Sequence, residues 1–285
     1  MVETILANGK TILCDFDSWG DFVEFSKKDT PKETPYHSSH NMSGNRDEWT
    51  MTANYNDALS LAVSGWEEKV NEARNMSEAL INKVMDKMNV PTIHYDVEGI
   101  DFDIARVHNG EPECWYRFEE HTVDNEGDAV IRITVNNMAS AGIDAETIIK
   151  RGAVIAAMVE LFEYAHRKVE IISHSPFKSW DSKQADIEFK INIKLANQPL
   201  DLARLMFVTG HPSMLRRLLF HAVEMYPPQM RTCGEGYGKC SELRDDAQGN
   251  IHFGQINYED KETWINHPHE FILEQLKAQS IDVKL

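Results

Sequence analysis

The sequence has few of the features that mark secreted or membrane-spanning proteins. Only four of its 285 residues are cysteine, which is too few for the dense disulfide framework of a small secreted domain. No stretch approaches the roughly 18 consecutive apolar residues of a transmembrane helix. Residues 1–20 lack the basic start and apolar stretch of a signal peptide. These absences predict a cytoplasmic protein with no membrane contact.

Positive charge is also scarce. Lysine and arginine number 29 against 46 aspartates and glutamates, which gives a net charge of −17. A protein that binds duplex DNA normally presents a basic face, because phosphate neutralisation supplies most of its affinity. The acidic balance favours solubility. It restricts any contact with nucleic acid to a local groove of lysine and arginine.

The sequence carries no intact catalytic motif. Residues 233–240 read CGEGYGKC, whereas a phosphate-binding loop has glycine at the first of these positions and serine or threonine at the last. The pairs His37/His40 and His267/His269 lie in turn-rich segments with no third metal ligand close in sequence, and we interpret them as solvated histidines. A non-enzymatic protein without a cofactor is therefore expected, with at most a weakly bound divalent cation.

The clearest pattern in the sequence predicts a strand, a helix and a second strand. Residues 130–135 are dense in β-branched side chains, and so are residues 169–172. Between them, Asp144 can cap a helix that runs to about Lys168, with apolar residues spaced by three and four. Such a unit predicts two neighbouring parallel strands joined by a right-handed crossover.

Residues 186–195 alternate apolar and polar side chains, which predicts a half-exposed antiparallel edge strand. The predicted fold is therefore α/β, a doubly wound and mostly parallel sheet with an antiparallel edge strand. Residues 1–91 form an N-terminal helical and β extension, an arm that includes a mobile loop at residues 28–47. Residues 92–285 form the α/β domain, which ends in a turn-rich segment and a final helix.

This order of elements resembles the von Willebrand factor A-type domain, in which Asp-x-Ser-x-Ser after the first strand holds a divalent cation. Residues 136–140 read NNMAS here. Asn136 stands for the aspartate, Ser140 for the last serine, and Met138 replaces the middle serine. A neutral amide and a thioether suit Mg²⁺ or Ca²⁺ poorly, so the resemblance implies a degenerate loop.

The chain from Ser18 onward also resembles an uncharacterised family of tailed-phage and prophage proteins. The resemblance implies a phage setting and carries no established activity or catalytic residues. The segments that carry it are residues 55–66 (YNDALSLAVSGW), 110–114 (GEPEC), 151–157 (RGAVIAA) and 211–217 (HPSMLRR).

A binding crevice is expected outside the carboxyl ends of the two parallel strands, where ligands of doubly wound sheets bind. The helix after Asp144 would direct its free amides toward that place. The predicted lining residues are Asn136, Asn137, Ser140, Ser173 and Ser175.

Two charged groups complete the candidate sites. The predicted basic contacts to an anionic partner are Lys150, Arg151, Arg216 and Arg217. The densest acidic group is Asp96, Glu98, Asp101 and Asp103, whose carboxylates suit a cation or acid–base chemistry. The weak metal candidates are Asn136, Ser140, Asp101 and Asp103.

Three functions stay open on this basis. The leading hypothesis is a non-enzymatic phage accessory protein that binds a macromolecular partner in DNA replication or transcription, either a protein such as a polymerase or single-stranded DNA. The second is a metal-assisted hydrolase or phosphoryl-transfer enzyme that uses the acidic group at residues 96–103. The third is an acidic inhibitor of a host defence enzyme.

Overall fold

A computed structural model describes most of the chain as alternating strands and helices. The described residues are 1–35, 37–41, 47–85, 93–99, 101–118, 130–165, 167–179, 185–227, 237, 239–257 and 265–281. The strands are β1 (Val2–Ile5), β2 (Thr11–Phe16), β3 (Ile93–Asp96), β4 (Asp101–Phe102), β5 (Trp115–Phe118), β6 (Ile131–Val135), β7 (Val169–Lys178), β8 (Asp186–Lys194), β9 (Lys239–Cys240) and β10 (Ile251–Phe253).

The helices contribute most of the remaining regular structure. Among the described helices, none combines the length and the apolar character needed to cross a bilayer. They are α1 (Trp19–Ser26), α2 (Ser38–Asn41), α3 (Asp47–Thr50), α4 (Tyr55–Ser64), α5 (Glu67–Met85), α6 (Ile104–His108), α7 (Ala145–Tyr164), α8 (Leu202–Gly210), a π-helix (Met214–Leu219), α9 (Phe220–Glu224), a 3₁₀ turn (Asp245–Ala247) and α10 (Pro268–Ala278).

The strands of a mixed sheet lie in the order β1-β2-β8-β7-β6-β10, and β9 pairs with the C-terminal end of β7. The predicted strand–helix–strand unit is confirmed, because Ile133 in β6 pairs with Ile171 in β7 in parallel register and α7 connects the two strands. Asp144 caps α7, as its position in the sequence indicates. The α/β class is therefore confirmed, and the sheet is compatible with a doubly wound arrangement.

The prediction that β8 is an edge strand is wrong. β8 does run antiparallel to β7, but β2 pairs with its other side in parallel register. The polar residues of the alternating pattern are therefore mostly covered and paired. Lys190 Nζ lies 2.8 Å from Asp15 Oδ2 of β2, and Oε2 of the buried Glu188 lies 2.9 Å from His174 Nε2 of β7. Alternation marks the two faces of a strand, and it does not report whether a distant segment covers the strand's edge.

The apolar face of the sheet forms the main core. Phe16 of β2 and Phe189 of β8 lie on this face and are fully buried. Helix α1 packs there, with the rings of Phe22 and Phe25 at 5.2 and 5.3 Å from the ring of Phe16. Helices α5 and α8 pack against α7. Residues from both sides of the predicted domain boundary share this core; the boundary itself falls within residues 86–92, outside the described part of the chain.

A second, smaller sheet of order β3-β5-β4 lies with α6 outside the main core cluster. Residues 94–99 and 101–117, whose exposure the structure describes, include no buried side chain. The three short strands and α6 therefore form a module of their own.

The imidazole of His211 is buried at the turn between α8 and the π-helix. Its Nδ1 accepts a hydrogen bond from the backbone amide of Ser213 at 3.0 Å, and burial lowers the pKa of His211 to about 3. In the unfolded chain a histidine titrates near 6.5. The stabilising effect of keeping His211 neutral is thus complete above about pH 6.5 and is lost as the pH falls toward 3.

As the pH is lowered from about 7.5 to about 5, His211 gains a proton in the unfolded chain but not in the folded protein. We therefore expect the free energy of unfolding to fall by about 2 kcal/mol over this range because of His211 alone. The variant His211→Asn keeps an acceptor for Ser213 and removes the titration. Urea unfolding of both proteins at the two pH values should show a pH-dependent loss that is about 2 kcal/mol smaller in the variant. An equal loss in both proteins would show that His211 is already neutral in the unfolded state or charged in the folded one.

Candidate metal centre

The structure brings together most of the predicted crevice residues, but it closes the crevice. The Asn137 side-chain amide donates to Ser173 Oγ at 2.9 Å, and the Asn137 backbone amide donates to Ser175 Oγ at 3.3 Å. Asn136 donates at 2.7 Å to a backbone carbonyl of the segment after β9. All four side chains are buried and only Ser140 is exposed. The carboxyl ends of the strands carry a sealed polar network here.

Three of the four predicted basic contacts are buried as well. Arg151, Arg216 and Arg217 are at most 1% exposed and donate to backbone carbonyls, among them that of Asn136 at 2.9 Å from Arg151. Lys150 is half-exposed and pairs with Glu146 at 2.7 Å. The three arginines therefore anchor the fold and present no basic surface to an anionic partner.

The acidic group at residues 96–103 belongs to the small sheet and shapes it. Asp103 caps α6 by accepting from the amides of Ala105 and Arg106, and it accepts from the hydroxyl of Tyr95. The Arg106 amide and the Tyr95 hydroxyl bond hold the pKa of Asp103 below its usual range. Asp101 accepts from the amide of Phe102. In the described part of the chain, neither aspartate belongs to a cluster of metal-ligating side chains.

A different set of side chains converges at α2 and α9. His40 comes from α2, while His221 and Glu224 lie three residues apart on α9 and so share one face of that helix. The Nδ1 atoms of His40 and His221 lie 4.0 and 3.9 Å from Glu224 Oε2. One ligand atom from each residue lies within 4.8 Å of the others, and no second such group of histidine, cysteine or acidic side chains occurs among the described residues.

Hydrogen bonds fix the carboxylate of Glu224 within the interior. Its Oε1 accepts from the backbone amide of Ser39 at 2.9 Å and from the hydroxyl of Tyr237, and its Oε2 accepts from Ser39 Oγ. The side chain is 0% exposed. Because these donors hold both oxygens in place, Oε2 faces the two imidazoles in a fixed orientation.

The tautomer of His221 is set by its surroundings. Its Nε2 lies 3.0 Å from the backbone carbonyl of Lys28, which can only accept, so Nε2 carries the proton. Its Nδ1 is buried and makes no hydrogen bond with the described residues. Burial, the main cause, lowers the pKa of His221 to about 4. At neutral pH a lone pair of Nδ1 therefore faces the carboxylate of Glu224 with no proton between them.

His40 forms the open side of the cluster. Its ring stacks on Tyr55 with the centroids 4.1 Å apart, and its side chain is 41% exposed. Partial burial lowers the pKa of His40; His37 and Arg217 act in the same direction, and Glu224 opposes them. A neutral imidazole is the form that ligates a metal.

Two imidazole nitrogens and one carboxylate oxygen are a donor set that suits zinc and related transition metals, whereas Mg²⁺ and Ca²⁺ prefer oxygen ligands alone. Tetrahedral zinc with bonds of about 2.0–2.1 Å needs ligand atoms about 3.4 Å apart. The two nitrogen–oxygen distances must therefore shorten by about half an ångström. The two nitrogens, which lie within 4.8 Å of each other, must close by up to about 1.4 Å, and His40 Nδ1 must exchange its hydrogen-bond partner Ser39 Oγ, 2.8 Å away, for the metal. Three protein ligands leave one coordination position for water.

Sequence reasoning missed this cluster because its members are far apart along the chain. The interpretation of His37 and His40 as solvated histidines does not anticipate that the partly exposed ring of His40 lies close to His221 and Glu224. The one local signal was the spacing of His221 and Glu224 on a helix, which places an imidazole and a carboxylate on the same face.

Comparison with known proteins gives one result. No curated protein and no solved structure matches the chain. A family model described as a domain of unknown function (DUF7192) matches residues 2–283. The match spans nearly the whole sequence, and the chain therefore belongs to the DUF7192 family.

Proposed function

We propose that this protein binds a divalent transition metal ion such as Zn²⁺ through His40, His221 and Glu224. The observation that carries the proposal is the buried Nδ1 of His221. A lone pair and a carboxylate held 3.9 Å apart in the interior repel each other. A cation between them converts that repulsion into two favourable bonds, and the carbonyl of Lys28 acts as the outer partner that orients the ring.

The coordination position left for water would allow the metal to activate a water molecule. A metal ion held by three protein ligands lowers the pKa of its bound water and so supplies a nucleophile for hydrolysis. The exposed edge of His40 is the side from which a substrate would approach. Metal-assisted hydrolysis at this cluster is therefore the second candidate function; it keeps the reaction class of the alternative hypothesis from the sequence and places it at His40, His221 and Glu224 instead of residues 96–103.

The metal proposal is tested by titrating the metal-stripped protein with Zn²⁺. We expect binding of one ion per chain by calorimetry. At a free Zn²⁺ concentration about a hundredfold above the dissociation constant, stability should rise by about 2.7 kcal/mol, which corresponds to a Tm rise of about 4 °C for a chain of this length.

Two variants make the titration specific. His40→Gln removes one half-exposed ligand, and His267→Gln removes an exposed histidine, 59% exposed, from another part of the molecule. We expect at least about a tenfold loss of affinity in the first variant and no change in the second. Equal affinity in wild type and His40→Gln, or no Tm change with Zn²⁺, Co²⁺ or Ni²⁺, would overturn the proposal.

The wider setting is proposed on sequence resemblance. A von Willebrand factor A-like fold, a phage origin and an accessory role in replication or transcription all rest on that ground, whereas a cytoplasmic location is proposed on the low cysteine content. The burial of Arg151, Arg216 and Arg217 removes the residues expected to contact single-stranded DNA and favours a protein partner. Inhibition of a host defence enzyme by the acidic surface stays a proposal of the same kind.

A further inference from the structure

The small module formed by β3, β4, α6 and β5 exposes apolar side chains that folding leaves uncovered. Phe102 and Trp115 are cross-strand partners with their rings 5.4 Å apart, yet they remain 44% and 37% exposed. On α6, Ile104 is 75% exposed, and Val107 follows one turn later. None of the module's residues whose burial the structure describes joins the main core cluster. A concentration of exposed apolar residues on one short module is typical of a binding surface.

The module is also acidic. It carries six carboxylates and two arginines, and both arginines are already paired: Arg106 with Glu111 at 2.7 Å and Arg117 with Asp96 at 2.9 Å. Glu98, Asp101 and Glu113 form no ion pair with a lysine or arginine in the described residues. Three carboxylates of the same module as the aromatic pair therefore have no lysine or arginine partner among the described residues.

We propose that the surface around Phe102 and Trp115 docks a basic protein segment, one that offers lysine or arginine to the unpaired carboxylates and an apolar side chain to the aromatic pair. Aromatic pairs of this kind anchor interfaces because they bury a large area at a low cost in conformational entropy. Complementary charge at the rim speeds association and excludes acidic partners. This proposal does not depend on the metal centre.

Charge decides against the other occupants. Nucleic acid and anionic membranes are repelled by unpaired carboxylates, although exposed aromatic rings alone would suit the stacking of bases. A second copy of this chain would bring the same acidic rim against itself, with a net charge of −17 on each partner. A basic protein segment satisfies both the apolar and the charged parts of the surface.

The test uses the full chain and a labelled short peptide that alternates lysine with phenylalanine and leucine. Fluorescence anisotropy should show saturable binding that weakens as salt is added. The double variant Phe102→Ser/Trp115→Ser should lose at least tenfold in affinity. Val63→Ser, which removes a 64% exposed apolar side chain elsewhere, should bind as the wild type does. Circular dichroism checks that each variant is folded.

A third variant, Glu98→Gln/Asp101→Asn, preserves the aromatic pair and should lower affinity and reduce the salt dependence. This arm keeps the proposal open to test if the double serine variant unfolds. Equal binding of the peptide by wild type and all variants would show only general attraction to an acidic protein and would overturn the proposal. So would an absence of binding, or preferential binding of a labelled oligothymidylate that the serine variant loses.

Discussion

Replacing Gly152 by alanine is expected to lower the free energy of unfolding by about 3 kcal/mol or more. Helices α7 and α8 cross where Gly152 faces Gly210, and a Cβ added at Gly152 would lie 2.5 Å from the Cα and 2.9 Å from the backbone nitrogen of Gly210. Both atoms belong to a helix backbone and cannot rotate away as a flexible side chain could. The two helices would have to separate, which loosens the core around them.

Gly20→Ala is the matched control. Gly20 also lies in a helix, α1, but the nearest atom to its added Cβ is Ser18 Oγ at 3.7 Å, which is ordinary contact. This change should leave stability unchanged or raise it by up to about 1 kcal/mol, because alanine reduces the freedom of the unfolded chain. Urea unfolding compares the two variants directly. Similar midpoints for both would show that α7 and α8 do not approach as closely as described.

Replacing Arg217 by methionine is expected to cost about 3–4 kcal/mol. The guanidinium is 1% exposed and donates to the backbone carbonyl of Ser39 at 2.7 Å and to that of Thr52 at 3.0 Å. Methionine fills a similar volume and leaves both carbonyls without this donor in the interior. Because Ser39 holds Glu224 and precedes His40, affinity for Zn²⁺ should fall as well.

Lys150→Met makes the same change in net charge at a half-exposed position. Its ion pair with Glu146 is a surface pair between residues four apart on α7, and such pairs contribute about 0.5 kcal/mol or less. Thermal unfolding should therefore place this variant within about 1–2 °C of wild type. A cost for Arg217→Met as small as that of Lys150→Met would mean that Arg217 does not tie α2 to the π-helix.

The local pattern of apolar residues and helix caps is enough to predict the fold where each strand or helix packs against the next one in the sequence. Strands β6 and β7 and helix α7 follow one another, and their apolar spacing and the cap at Asp144 specify their packing. The position of β8 could not be predicted in this way. Its second neighbour, β2, lies about 175 residues earlier, and no feature of β8 itself records that pairing.

The same distinction explains the candidate sites. The rule that parallel strands end at one edge of a sheet correctly brought Asn137 to Ser173, but the segment that closes this place comes from beyond β9. The sequence does not distinguish Arg151, Arg216 and Arg217 from surface arginines, because their burial depends on backbone carbonyls contributed by other segments. The cluster of His40, His221 and Glu224 joins parts of the chain about 180 residues apart, so proximity in sequence carried almost no information about it.

Cobalt(II) titration of the metal-stripped protein tests the central claim most directly, because its visible spectrum reports the number and type of ligands. Wild type should develop the intense visible bands of a four-coordinate site at one ion per chain, and His221→Gln should not. A spectrum that keeps the faint bands of the fully hydrated ion, or an equally intense one in His221→Gln, would show that the two imidazoles and the carboxylate do not form a metal centre.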